Sequence, residues 1–562
     1  MRVDRVLWIT LCLWAAAGIS HAAAAETDAP SPGWAVASAH PAATEAAFRI
    51  AGQGGNAFDA AVAVTAALAV AEPMGSGLGG GGFWLLHRSR DGFQVMVDGR
   101  EQAPLAAGKD MYLDDSGEPI PGASLNGPLA AAIPGTPAAL AHIADKYGRL
   151  PLSVSLQPAI DIALDGFRTG ERLRERVEWR QAAFNKAARE LFMPDGVPPA
   201  IGTLIRQPRL AATIGKIAAH GRDGFYRGWV ASTLISEVSR SGGIWSQKDL
   251  DGYRIVERDP VVIHYGDARI VSAALPSSGG IVLAQILNML QLRQLSSGDR
   301  VQRVHTIVEA MRRAYRDRAL YLGDADFVDV DQSMLTSREY ARALVTDISD
   351  TATPSRNLTA EEHVRKSGED TTHFSIIDPE GNRVAATLSI NYPFGSGFVS
   401  RGTGVILNNE MDDFVSKPGV ANAYGLVGGD ANSIEPGKRP LSSMSPTFVE
   451  GEDFVAVIGT PGGSRIITMV LLALLELLDA GERDMSNVVN LPRYHHQYLP
   501  DEITFEPDAL DQDLVTELEA RGHVLKMRDT TYGDMHGVLL DLRNGDVSAA
   551  SDHRGEGQAR VW

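Results

Sequence analysis

Asp370-Thr371-Thr372-His373-Phe374-Ser375-Ile376-Ile377-Asp378 is the stretch on which the reading of this chain turns. Upstream of it, residues 349–370 are polar and charged, with Pro354, Gly368 and few large apolar side chains, as in an exposed linker. From Thr372 the sequence alternates as a strand to Asp378, turns over 379–382 and returns as a second strand over 383–391. A hydroxyl at such a junction is ordinarily turn chemistry. A cut between Asp370 and Thr371 changes its meaning. Thr371 then carries both a hydroxyl and a free α-amine, and the amine titrates at roughly 7.7 to 8.0, close enough to neutrality to take the hydroxyl proton. The same hydroxyl can open that bond in a precursor, by attacking the preceding carbonyl to form an ester that water resolves. One residue thereby serves two reactions.

Further strands are expected at 404–407 and 454–458, followed by an apolar helix over 467–478, so sheet and helix are layered together. Before the linker, 134–323 reads mostly helical, with helices at 137–147, 154–164, 281–292 and 301–321 and short strands at 261–265 and 268–273. Thr136 is read as the cap of the first of these helices, with Pro137 at its first helical position. An alanine-rich helix over 56–70 precedes the glycine cluster 75–82. Gly75, Gly77 and Gly80 match G-x-G-x-x-G in form, but the cluster follows a helix and enters the strand-like 83–87, the reverse of the order a dinucleotide site requires. Close backbone packing is the better account.

A net charge of −18 over 562 residues argues against a nucleic-acid partner, and 44% apolar with 22% charged residues describes a soluble globular chain. The N-terminus has the form of a secretory signal: Arg2 and Arg5, an apolar run over 6–19, then small residues at 22–25. Residues 1–25 are therefore expected to be removed and the mature protein exported, periplasmic or secreted, with no membrane anchor left behind. The single cysteine, Cys12, lies within that signal, so no disulfide is expected. The adjacent His495 and His496 lack an evident third ligand, and neither metal nor cofactor is expected.

Four ordered motifs carry a resemblance that runs from about Gly33 to about Gln558: Thr371-Thr372-His373-Phe374-Ser375, Leu407-Asn408-Asn409-Glu410-Met411-Asp412-Asp413-Phe414, Pro440-Leu441-Ser442-Ser443-Met444-Ser445-Pro446, and Pro461-Gly462-Gly463-Ser464-Arg465. Through them the chain resembles the gamma-glutamyltransferase family of N-terminal-nucleophile hydrolases. That resemblance implies an α+β fold, a four-layer αββα sandwich, formed jointly by a large subunit 26–370 and a small subunit 371–562 that associate as a heterodimer. It further implies glutathione and other gamma-glutamyl compounds as donors, and water, amino acids or peptides as acceptors.

A γ-linked glutamyl group presents a free α-carboxylate and a free α-ammonium, so its site needs both signs of charge. Arg100 matches the family's carboxylate-binding arginine, and its planar fork suits that task. Ser442 and Ser443 match its hydroxyl partners, while Asn391, Glu410 and Asp413 match the ammonium-holding residues. Gly462 and Gly463 match the amides of an oxyanion hole. Ser389 stands where threonine is usual and where the hydroxyl supports the nucleophile. The stretch 417–432, with Tyr424, resembles the lid of some members and would shield the acyl-enzyme from water. Two other readings compete. A cephalosporin acylase of the same fold would take glutaryl groups, which lack the α-amine and would leave Asn391, Glu410 and Asp413 idle. An exported binding protein for glutamyl compounds would not need Thr371 at a processing junction.

Overall fold

The computed structural model describes residues 33–295, 298–358, 371–417, 419–479 and 483–562. The signal segment, Cys12 and the Asp370 side of the expected cleavage junction lie outside the described residues.

The hairpin behind the junction sits at the centre of the molecule. Thr372–Ile377 and Arg383–Ser389 pair antiparallel, with Thr372 opposite Leu388, and Asp378 ties the turn through its carboxylate to the backbone N–H groups of Glu380 and Asn382. They are the third and fourth strands of a seven-stranded sheet in the order Gln558–Val561, Ala35–Ser38, Thr372–Ile377, Arg383–Ser389, Gly81–Arg88, Phe93–Asp98, Val256–Arg258. A six-stranded sheet faces it, in the order Val547–Ser551, His536–Asp541, Phe454–Gly459, Thr447–Glu450, Ala268–Ser272, Val261–Tyr265.

Strand alternation builds two distinct cores. Val36, Trp84, Leu86 and Phe374 point away from the second sheet into a cluster with the helices Pro41–Ala51, Ala57–Ala71 and Leu152–Asp165. Their neighbours Ala35, Ala37, Phe83 and Leu85 join the other cluster, which fills the space between the sheets and runs on into Gly279–Arg293, Arg300–Tyr321 and Ile466–Asp479. Helix, sheet, sheet, helix is the αββα order. All fifteen residues of Ala57–Ala71 are buried, so that helix has no polar face; a capping box fixes its start, with Asn56 accepting from the Phe58 and Asp59 amides and Asp59 accepting from the Asn56 amide.

Two expectations need correction. Residues 404–407 form no ladder strand: Ile406 and Leu407 make only isolated bridges, to Val399 and Gly79. The reason is that its backbone bonds are made to 396–400, through Leu407 to Phe398 and Ser400 to Val405, and to the glycine cluster, not to a sheet strand. A Cβ on Gly79 would lie 1.9 Å from the Ile406 carbonyl oxygen, and one on Gly80 would lie 2.1 Å from that of Ser389. Thr136 is also not the cap of its helix; Gly135 is, and Thr136 is the first helical residue. Otherwise the helices fall within a few residues of expectation, at Thr136–Lys146, Leu152–Asp165, Gly279–Arg293, Arg300–Tyr321 and Ile466–Asp479.

Candidate active site

Thr371 lies immediately before the central strand Thr372–Ile377 and is buried at the edge between the two sheets. The ladder register, Thr372 opposite Leu388, brings Ser389 alongside it from the returning strand. Glycine packing holds that end of the hairpin in place, since only bare backbone at Gly80 can approach Ser389 so closely. Ser389 Oγ accepts from the Asn391 amide at 2.7 Å, which orients the hydroxyl and the start of the following turn. Asn391 adopts φ +73°, a conformation asparagine tolerates better than most residues, and donates from Nδ2 to the Asn409 carbonyl at 2.9 Å. That bond commits Nδ2 and leaves Oδ1 as an acceptor.

Nine of the residues singled out from the sequence line one small cavity with Thr371: Ser389, Asn391, Arg100, Glu410, Asp413, Tyr424, Ser442, Ser443 and Gly463. Gly462 is the exception, facing the neighbouring cavity on the far side of the same turn. The turn itself demands glycine, with φ +141° at Gly462 and +57° at Gly463.

The charged groups are interlocked. Arg100, fully buried, donates to Glu410 at 2.7 Å, to Asp413 at 2.5 Å and through Nε to the Pro440 carbonyl at 3.1 Å. Burial alone would depress its pKa, but Glu410, Asp413 and Glu101 outweigh burial and raise it. Glu101, 3.5 Å from the same guanidinium, makes no hydrogen bond through either carboxylate oxygen among the described residues. Burial raises its pKa to about 8, against the pull of Arg100. Glu410 is likewise raised by burial, opposed by Arg100 and reinforced by Glu101 and Asp413. Burial thus favours the protonated form of both Glu101 and Glu410, and Arg100 favours the charged form.

Two residues of the site carried no signal in the sequence. One is Glu101. The other is Arg318, on the last turn of Arg300–Tyr321, which lines the cavity and donates to Ser443 Oγ at 3.2 Å and Ser278 Oγ at 3.0 Å. Burial lowers its pKa, opposed by Tyr315 and Asp413. Ser278 in turn donates to the Ser442 carbonyl, so the arginine braces both serines of the pair.

Tyr424 lines the cavity. Its hydroxyl donates to the Asn391 carbonyl at 2.7 Å, its ring packs edge-on against Tyr392, and it covers Gly463 so closely that a Cβ there would lie 2.3 Å from a ring carbon. The histidines belong elsewhere. His495 bonds Thr468 and Gln497, His496 bonds Asp501, and no group of three or more His, Cys, Asp or Glu among the described residues is placed to hold a metal. No helix among those residues is long and apolar enough to cross a membrane.

A buried threonine heading a central strand between two facing sheets, with a glycine turn and a charged pocket beside it, defines an N-terminal-nucleophile hydrolase. The gamma-glutamyltranspeptidase family profile matches residues 43–562, and the chain belongs to that family. The glutathione hydrolase proenzyme of Escherichia coli (strain K12) is 40% identical over 528 residues, covering 92% of this chain and 90% of its own. That of Pseudomonas aeruginosa is 40% identical over 568 residues, covering 99% of both. Among solved structures, a cephalosporin acylase from Bacillus halodurans superposes with a TM-score of 0.82 at 25% identity, covering 95% of this chain and 96% of its own. A Helicobacter pylori gamma-glutamyltranspeptidase chain superposes with a TM-score of 0.55 at 40% identity, covering 56% of this chain and 92% of its own.

Proposed function

We propose that the chain is an exported gamma-glutamyltransferase and glutathione hydrolase that cuts itself before Thr371. The observation that carries this reading is the shared cavity, in which a potential N-terminal nucleophile, a glycine turn and a buried Arg100–Glu410–Asp413 cluster converge. In the processed enzyme, Thr371 Oγ attacks the γ-carbonyl of the donor while its α-amine takes the hydroxyl proton. The Gly462 and Gly463 amides receive the oxyanion, a contribution worth roughly 2.7 to 4 kcal/mol per donor. The amide C–N bond then breaks, the amine leaves with the proton, and a glutamyl ester remains on Thr371. Water or an amino acid attacks that ester and restores the hydroxyl. Ser389 steadies the nucleophile. Arg100, Ser442 and Ser443 take the donor's α-carboxylate, while Asn391, Glu410 and Asp413 take its α-ammonium. Tyr424, on the 417–432 lid, excludes water.

Removal of 1–25 and the cut at 370/371 would leave a large subunit 26–370 and a small subunit 371–562 as a heterodimer in the periplasm or medium. The two halves are suited to remain together, because Ala35–Ser38 from one is hydrogen-bonded on both sides to strands of the other. A glutaryl acylase shares the fold, but a glutaryl group offers Asn391, Glu410 and Asp413 no ammonium.

N-terminal sequencing of the small fragment should begin at Thr371, and Thr371→Ala should give one uncut, inactive chain on a denaturing gel. Cleavage that persists in Thr371→Ala would refute self-processing. Faster release from a glutaryl anilide than from its γ-glutamyl counterpart would overturn the substrate.

A further inference from the structure

The Gly462–Gly463 turn has no side chains with which to hold itself, and at φ +141° and +57° both residues use the backbone freedom of glycine. An oxyanion site needs the opposite, amides fixed before the carbonyl arrives. One end of the turn is fixed by the sheet, since Gly459 ends the strand Phe454–Gly459 opposite His536. The other end runs through Ser464 and Arg465 into the helix Ile466–Asp479. There the Tyr315 hydroxyl donates to the Ser464 carbonyl at 2.5 Å, across 149 positions of sequence.

Tyr315 is suited to hold that end. It is buried, and burial raises its pKa, so the phenol keeps its proton and remains a donor. Its ring meets His495 edge-on with centroids 5.8 Å apart, and His495 is bonded at 2.8 Å to Thr468, on the first turn of the helix that the glycine turn feeds. Hydroxyl and ring therefore grip the same short piece of chain from two sides. Three residues further along the helix Arg300–Tyr321, and so on the same face of it, Arg318 donates to Ser443 and Ser278. One helix, upstream of the proposed cut, thus reaches both the glycine turn and the serines assigned to the α-carboxylate. The spacing between the two is set by a rigid element rather than by loops.

We propose that Tyr315 is a positioning residue for the oxyanion turn: its hydroxyl pins the Ser464 end, and this keeps the Gly462 and Gly463 amides aimed at the carbonyl under attack. The inference rests on the γ-glutamyl reading of the cavity and on those two amides as its oxyanion donors.

The test compares two ligands in competition with γ-glutamyl-p-nitroanilide. One is the glutamate analogue whose γ-carboxyl is replaced by a boronic acid. Thr371 Oγ adds to the boron, the hydroxyl proton passes to the α-amine, and a tetrahedral boronate presents an oxygen to the turn. The other is L-norvaline, which keeps the α-carboxylate, the α-ammonium and the chain length but offers the turn nothing. Tyr315→Phe retains the ring and loses only the hydroxyl. It should weaken the boronate about ten- to hundredfold, less than the roughly hundred- to thousandfold loss when an oxyanion donor is removed outright. Its Ki for norvaline should stay within about twofold of the wild type, the ordinary limit for an uncoupled change. Arg318→Gln, by contrast, should weaken both ligands alike. An unchanged boronate Ki in Tyr315→Phe, or an equal loss for both ligands, would overturn the positioning role. So would a Tyr315→Phe chain that stays uncut, since the tyrosine would then serve the fold as a whole. Failure of the wild type to release p-nitroaniline from the γ-glutamyl anilide would instead sink the reading on which the inference rests.

Discussion

Gly463 and Tyr424 are sterically coupled, and the consequence can be worked out atom by atom. In Gly463→Ala, the new Cβ would stand 2.3 Å from Tyr424 Cδ1 and 2.4 Å from Cε1, so the ring must retreat by more than about 1 Å to reach ordinary carbon contact near 3.5 to 4 Å. Retreat gives up the hydrogen bond from the Tyr424 hydroxyl to the Asn391 carbonyl, worth about 0.5–1.5 kcal/mol net. It also disturbs the edge-on contact with Tyr392, worth about 0.5–1.5 kcal/mol. Separately, alanine at φ +57° costs about 1–2 kcal/mol of backbone strain whatever covers it.

A double-mutant cycle separates these contributions. The strain is common to both backgrounds and cancels, whereas the collision exists only where Tyr424 is present. Gly463→Ala should therefore cost less in a Tyr424→Ala background than in the wild type, by about 1–3 kcal/mol, or roughly 5- to 150-fold in kcat/KM. The assay is release of p-nitroaniline from γ-glutamyl-p-nitroanilide by the four enzymes of the cycle, each first checked for cleavage into two chains. Additive effects, within about 0.5 kcal/mol, would mean that Tyr424 does not sit on Gly463 during turnover, and the covering role assigned to 417–432 would fall with them.

Arg100→Lys keeps the charge but loses the fork that bonds Glu410 and Asp413 together; kcat/KM for γ-glutamyl donors should fall about 10- to 150-fold, mostly through KM, in steady-state kinetics. Arg318→Gln should lower kcat/KM by about tenfold and be less than additive with Ser443→Ala, because the two meet in one hydrogen bond; additivity would place Arg318 outside the carboxylate-binding group. Glu101→Gln tests the buried proton: the wild-type acid is raised from 4.5 to about 8, so the folded chain keeps a proton that the unfolded chain has released, and stability falls as pH rises through that window by at most about 1.4 kcal/mol per unit. Urea midpoints of the uncut Thr371→Ala chain at pH 5 and pH 8 should show a smaller decline with Glu101→Gln added, and equal slopes would contradict the assignment.

What the sequence revealed and what it hid divide along a physical line. The hairpin after Thr371 was legible because both strands alternate and the turn between them carries Asp378 and Gly381, information confined to adjacent residues. The segment 404–407 has the composition of a strand, but its backbone is taken up by a short reversal against 396–400 on one side and by Gly79 on the other, so it joins neither sheet. Thr136 has the chemistry of a cap. Gly135, however, is pressed against the Gly99 carbonyl, where a Cβ would lie 1.9 Å away, and this contact sets the helix start one residue earlier.

Arg318 marks the same boundary within the active site. Arg312, Arg313, Arg316 and Arg318 lie on one helix, and as letters in a sequence nothing separates them. In the fold, Arg312 and Arg313 turn to Glu309, and Arg316 turns to Asp317, so each finds its counter-charge on the same helix at short range. Arg318 reaches instead across to Ser278 and Ser443, on segments 40 and 125 residues away. A buried cation is costly unless an anion shares its surroundings, and in this cavity Asp413 is one whose charge acts on Arg318. In the proposed complex the donor's α-carboxylate, held by Arg100 and Ser443, would bring a second anion within reach of Arg318. Two buried arginines in one cavity thus suit a free α-carboxylate, which a glutamate within a peptide lacks along with its free α-ammonium.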